Sequence, residues 1–142
     1  MFQLHSQLES DTFFVADLPL CRVLLMNDKQ FPWLILVPRR ASCQEIYDLS
    51  EQDIAQYQKE SIIVSKAMMQ QFNGDKLNVA ALGNVVPQLH IHHIVRFKHD
   101  IAWPEPIWGK QKPIHYSEAE LRQMLEKTHA LLQPIKANQT RL

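Results

Sequence analysis

Four of the seven histidines of this chain lie between residues 90 and 99, and three crowd into His90-Ile91-His92-His93. An imidazole can attack phosphorus, relay a proton or bind a metal. The segment Pro87-Gln88-Leu89-His90-Ile91-His92-His93-Ile94-Val95-Arg96-Phe97 has the composition of a strand. Alternation then puts Gln88, His90, His92, Ile94 and Arg96 on one face and Leu89, Ile91, His93, Val95 and Phe97 on the other. The second face is almost wholly apolar, so it is the core side, and His93 there is expected to be a structural histidine holding a hydrogen bond. On the polar face, alternate residues lie about 7 Å apart. Gln88, His90 and His92 are therefore expected to present three nitrogen-bearing groups to one small anion. Gly83-Asn84 stands just ahead, where backbone N–H groups and the Asn84 amide would surround phosphoryl oxygens.

A His-x-His pair is also a metal motif, because imidazoles two residues apart can share one ion. The third ligand is poorly supplied: the next positions on that face are Ile94 and Arg96, and a cation opposes a bound metal. His99, Asp100 and Glu45 are distant in the chain. No metal site is expected, and a metal-dependent enzyme using His90 and His92 is the weaker alternative.

Short apolar runs at 13–18 and 21–26, parted by Pro19, predict two strands with a tight connection. Residues 33–37 form a continuous apolar run stopped by Pro38, which predicts a third strand buried on both faces. Ser42 with Glu45 has capping-box spacing for a short helix to Leu49. Ile54, Tyr57, Ser61, Val64, Met68 and Phe72 recur at helical spacing, predicting the main helix over 51–72 with Asn73-Gly74 as a left-handed stop. A fourth strand is predicted over 77–82, and the fifth within 85–97. Residues 99–113, rich in Pro, Trp and Lys, predict an ordered loop. Ser117 and Glu120 cap a last helix, with Leu121, Met124, Leu125, Thr128 and Leu131 on one face and Pro134 closing it. The sum is a single α+β domain over 1–142, a mostly antiparallel five-stranded sheet with one long helix and a C-terminal helix.

Composition narrows the function classes. The 142 residues are 46% hydrophobic and 21% charged, a globular balance. Fifteen basic residues oppose fifteen acidic ones. That gives no overall field to hold a polyanion, so no nucleic-acid partner is expected. The three glycines, Gly74, Gly83 and Gly109, are too few and too scattered for a P-loop or a dinucleotide fingerprint. No run is long enough for a membrane helix, and residues 1–10 lack a secretory pattern. Cys21 and Cys43 form no disulfide framework, so a cytoplasmic protein with reduced thiols is expected.

The segment Val86-Pro87-Gln88-Leu89-His90-Ile91-His92-His93-Ile94-Val95-Arg96 resembles the signature of the histidine triad (HIT) superfamily, and Gly83-Asn84-Val85-Val86 resembles the stretch before it. Residues 24–28 and 33–38 resemble the family's nucleoside-side strands. The segments Trp103-Pro104 and Pro106-Ile107-Trp108-Gly109 resemble a bacterial, diadenosine tetraphosphate hydrolase-like branch. The resemblance implies a nucleotide hydrolase or transferase acting at the α-phosphorus of a dinucleoside polyphosphate or nucleoside phosphoramidate. It makes His90 the nucleophile and His92 the residue on the phosphate or leaving-group side, with Gln88 at the first triad position in place of histidine. Asn84 replaces a glutamine, and Trp33 stands where a further histidine is common. A register in which His90, His92 and Ile94 form the triad fits the Pro87 and Arg96 positions less well.

The mechanism so implied is attack by a His90 nitrogen to give a nucleotidyl-histidine, then hydrolysis. The second His90 nitrogen would donate to a backbone carbonyl. Gln88, Asn84 and Gly83 would hold the phosphate. Asn27 or Asp28 would bind ribose hydroxyls, with Leu25 and Phe14 facing the base. No cofactor is called for, beyond magnesium as a substrate counter-ion. A homodimer is implied by the resemblance alone. A nucleotide-binding protein with little or no turnover is the alternative from a different class.

Overall fold

The computed structural model describes residues 1–139. Its elements are α1 (Ser6–Asp11), β1 (Thr12–Asp17), β2 (Cys21–Met26), β3 (Trp33–Pro38), a 3-10 turn (Ile46–Asp48), α2 (Glu51–Phe72), β4 (Lys76–Ala80), β5 (Ile91–Arg96) and α3 (Glu118–Gln139). The strands form one sheet in the order β1-β2-β3-β5-β4. Every pairing is antiparallel. β3 is buried along its whole length, as its unbroken apolar run predicts, and so is β5.

Two apolar layers sandwich the sheet. On one side Val23, Leu25, Leu34, Leu36, Ile91 and Val95 pack against Tyr57, Val64 and Met68 of α2 and Leu131, Leu132 and Ile135 of α3. On the other, Leu24, Trp33, Ile35, Val37 and Ile94 are covered by Leu8 of α1 and by Val86, Ala102 and Ile107. Glu60 of α2 is buried, and it accepts hydrogen bonds from the Leu20 and Cys21 N–H groups at 3.0 and 2.8 Å. It satisfies backbone donors at the β1–β2 corner that the sheet leaves unpaired.

α2 spans the residues that its periodicity predicts. Ser50 caps it by accepting from Asp53 N–H, and Asn73 stops it in the left-handed region at φ 51°. Gly74 follows where a Cβ would stand 2.3 Å from Val95 Cγ1, so the close approach of chain to sheet requires glycine there.

Four sequence expectations change. The helix predicted from Ser42 is only the 3-10 turn at Ile46–Asp48, capped reciprocally by Glu45 and Asp48, because Ser42 itself sits at φ 55°. β4 stops at Ala80 instead of Leu82. β5 begins at Ile91, so Gln88 and His90 lie before the strand and not in it. Finally, α3 keeps the Ser117–Glu120 capping box but runs through Pro134 to Gln139. Proline removes one helical N–H donor, and burial of Leu131, Leu132 and Ile135 on both sides of it pins the helix to the core. α1 has no counterpart among the predicted elements.

Candidate functional site

The site lies where β5 begins, on the sheet face away from α2. Cross-strand register puts His92 opposite Ile35 on β3 and Ala80 on β4. His90 and His92 are buried to 7% and 5% exposure, with ring centroids 5.1 Å apart. Together with Leu82, Gly83, Asn84, Val85, Val86 and Trp108 they line an open groove of about 300 Å3. The predicted cluster of His90, His92, Gly83 and Asn84 is therefore assembled, with Gly83 held at φ 74°.

Each imidazole is fixed in one tautomer by a partner of a single polarity. His90 Nδ1 lies 2.6 Å from the Gln88 carbonyl oxygen. A carbonyl only accepts, so Nδ1 carries a proton, and in the neutral ring the lone pair is on Nε2. At His92 the polarity is reversed: the Trp33 indole N–H donates to Nδ1 at 3.0 Å. The proton of the neutral ring then sits on Nε2. Burial, with His90 and His93 close by, lowers His92 to about 3, so the ring is neutral. Trp108 packs edge-on against both His92 and Trp33, at 5.2 and 6.3 Å between centroids.

Gln88 does not join the groove. Its Oε1 accepts from His5 N–H at 2.8 Å and its Nε2 donates to the Gln3 carbonyl at 2.9 Å. The amide ties down the N-terminal segment, and only its backbone carbonyl serves His90. His93 has the structural role expected of it: fully buried, it donates from Nδ1 to Ile91 O at 3.0 Å and accepts from Ser61 Oγ at 2.8 Å. Burial lowers it to about 4.

A second, smaller cavity of about 140 Å3 adjoins across Trp33 and Trp108, lined also by Asp28, Gln30, Phe31 and Ile107. Asp28 is buried, and its Oδ1 accepts from the Gln30 backbone and side chain, both at 3.0 Å. Asn27 is committed elsewhere, accepting from Tyr116 N–H at 3.0 Å. The base-facing expectation for Leu25 is corrected. Alternation along β2 turns Leu25 into the layer under α2 and α3, and it is Leu24 that lies in the layer on the site side. Phe14 is also displaced. It sits on edge strand β1, paired to Leu24, and is 59% exposed beside Arg22. Three strand spacings, roughly 14 Å, part it from His92.

The loop carrying Trp108 is anchored by Arg96. This buried side chain pairs with both oxygens of Asp100 at 2.8 and 3.0 Å, and donates to Asn78 Oδ1 and the Glu105 carbonyl, each at 2.8 Å. Burial by itself would raise the Asp100 carboxyl, but the Arg96 bond and the N–H groups of Phe97 and Ala102 outweigh it and hold it at about 2. Sequence reasoning missed both this anchor and the roles of Trp33 and Trp108. The signals were Trp33 at a position where the resemblance has a histidine and the tryptophan content of the loop.

For a metal, the described residues offer no cluster of three or more His, Cys, Asp or Glu. The His92 Nδ1 lone pair is also already used by Trp33. The alternative of a metal enzyme built on His90 and His92 thus lacks both a third ligand and a free donor on the second.

An all-antiparallel five-stranded sheet with a histidine pair entering the interior strand β5 and a long helix behind it defines a histidine triad architecture. The HIT domain profile matches residues 7–99, and the chain belongs to that family. A histidine triad protein of Marinobacter aquaeolei VT8 is 51% identical, with 94% of this chain and 98% of that one covered and a TM-score of 0.92. Those of Bradyrhizobium japonicum and Sinorhizobium meliloti 1021 are 45% and 39% identical. The former covers 91% of this chain and 96% of its own, the latter 92% and 97%, at TM-scores of 0.88 and 0.89. No curated protein matches the chain.

Proposed function

We propose that the protein is a nucleotide hydrolase or nucleotidyl transferase acting at the α-phosphorus of a nucleoside phosphate derivative, through a covalent intermediate on His90. The observation that carries this reading is the short bond from His90 Nδ1–H to the Gln88 carbonyl, which places the lone pair of the neutral ring on Nε2, the nucleophile of this reading. In-line attack by Nε2 forms the P–N bond as the leaving group's bond breaks. Water then releases the nucleoside monophosphate. His92 Nε2–H, the Asn84 amide and the backbone at Gly83 donate to the phosphoryl oxygens from the groove walls. The nucleoside occupies the smaller cavity. There Asp28 Oδ2, which has no hydrogen bond among the described residues, serves the ribose hydroxyls. Magnesium enters only as a substrate counter-ion. Residues 1–142 act as one domain in a cytoplasmic homodimer whose partners are small nucleotides.

The test is His90→Asn. With diadenosine tetraphosphate, the wild-type protein should release adenosine monophosphate and show an adenylyl adduct by mass spectrometry after an acid-free quench. The variant should lose the adduct and at least about 1000-fold in turnover. Unchanged turnover overturns the assignment. A second reading, nucleotide binding with little turnover, draws on the commitment of the Gln88 amide to residues 3 and 5. Tight adenosine monophosphate binding by the wild type with neither adduct nor release would select it.

A further inference from the structure

We infer that Trp33 fixes His92 as a neutral hydrogen-bond donor, and that this restricts the site to substrates whose leaving group departs from the α-phosphorus as a phosphate anion. The inference rests on the nucleotidyl-transfer reading above and names the substrate class within it. An indole N–H donates and has no lone pair to offer. With Trp33 Nε1 3.0 Å from His92 Nδ1, adding a proton to Nδ1 would set two N–H groups against each other. The pair has little recourse to water, at 6% and 5% exposure, and Trp108 closes the aromatic cluster.

Nothing packed around His92 favours a second positive charge. β3 contributes Trp33 and the loop contributes Trp108, and neither titrates. The titratable neighbours are His90, just ahead of β5, and His93 on the opposite face, and both act against protonation. Arg96, further along the same face, is a cation already engaged by Asp100 and Asn78.

The consequence lies in the fate of the leaving group. When the broken bond is P–O to a polyphosphate, its electron pair stays on the phosphate oxygen and an anion departs without a proton. His92 Nε2–H need only donate a hydrogen bond to it. When the bond is P–N, as in a phosphoramidate, the amine must take up a proton as the bond breaks. The two imidazole protons at hand are His90 Nδ1–H, bound to the Gln88 carbonyl, and His92 Nε2–H. His92 Nε2–H belongs to a neutral ring whose deprotonation would leave an imidazolate, and His90 Nδ1–H is bonded to the Gln88 carbonyl on the ring edge away from an in-line leaving group, so neither serves as its general acid. In the second step water bonds to phosphorus, the P–N electron pair returns to His90 Nε2, and the surplus proton passes to solvent. That step is common to both classes. Discrimination therefore arises at the first bond cleavage.

Two measurements test the inference together. The first compares kcat/KM for diadenosine tetraphosphate and adenosine 5′-phosphoramidate in the wild type, Trp33→Phe and Trp33→His. The wild type should prefer the polyphosphate by at least about 100-fold, the usual worth of general acid catalysis. Both variants remove the obligatory donor, so the preference should narrow by about tenfold. The second records 15N-detected NMR of the histidine rings of the wild type, which requires no variant to fold. His92 should show one tautomer, protonated at Nε2, without gaining a proton between pH 8 and pH 5. Equal rates on the two substrates, or a His92 that becomes doubly protonated in that range, overturns the inference. If neither substrate is turned over and no adduct forms, the nucleotidyl-transfer reading fails and the leaving-group assignment with it. The NMR signature then still decides what Trp33 does to His92.

Discussion

His92 and His93 are neighbours in the chain, point to opposite faces of the sheet, and are both held neutral by burial. Their shifts make stability depend on pH with a definite sign. The unfolded chain binds protons at these histidines near pH 6.5, whereas the folded rings resist until about pH 3 for His92 and about pH 4 for His93. Unfolding therefore takes up protons, and stability falls as the pH drops below about 6.5. Each ring adds up to ~1.4 kcal/mol per pH unit to the slope, and below about pH 4 only the His92 contribution continues. Urea denaturation between pH 7 and pH 4 checks this. A flat midpoint across that range would refute it. The residue scale is also where the sequence was most legible and most misleading. His90, His92, Gly83 and Asn84, grouped from the sequence, line one groove. Gln88 was grouped with them by alternation, but its amide is bonded to residues 3 and 5 instead.

At the scale of elements, the loop after β5 depends on one buried cation. Arg96 gathers Asp100, Asn78 and the Glu105 carbonyl under Phe31 and Trp103. Arg96→Met should cost roughly 3–5 kcal/mol, since it leaves the Asp100 carboxylate buried without its partner. Arg22→Met, breaking the half-exposed pair with Asp17, should cost no more than about 1 kcal/mol. Comparing the two variants by urea denaturation checks the contrast, and equal losses would contradict it. The Arg96 variant should also loosen Trp108, read as a shift in tryptophan emission. None of this was legible in the sequence. Arg96 lies eighteen residues from Asn78 and nine from Glu105, and only the antiparallel pairing of β4 with β5 brings Asn78 alongside.

For the whole molecule, the β4 edge of the sheet is the feature with a consequence. β4 is a terminal strand, and its Val79 is 48% exposed. A bare apolar edge invites pairing with another chain. If the proposed homodimer pairs through this edge, Val79→Lys should shift the protein toward monomer in sedimentation velocity. A wild-type protein that sediments as a monomer at micromolar concentration would rule the arrangement out. The two faces of the same sheet divide labour: one carries α2, α3 and most of the core, the other α1, the groove and the smaller cavity.

The existence of the five strands, the long helix and the histidine pair was legible along the chain, because period-two alternation, helical spacing and caps act between residues close in sequence. The exchange of Leu25 for Leu24 on the site side turned on strand phase. The protonation geometry of the site arises from packing between elements. Each histidine's tautomer is set by a partner of one polarity, a carbonyl two residues away for His90 and an indole fifty-nine residues away for His92. The second partner could not be read from spacing, because it exists only once β3 and β5 lie side by side.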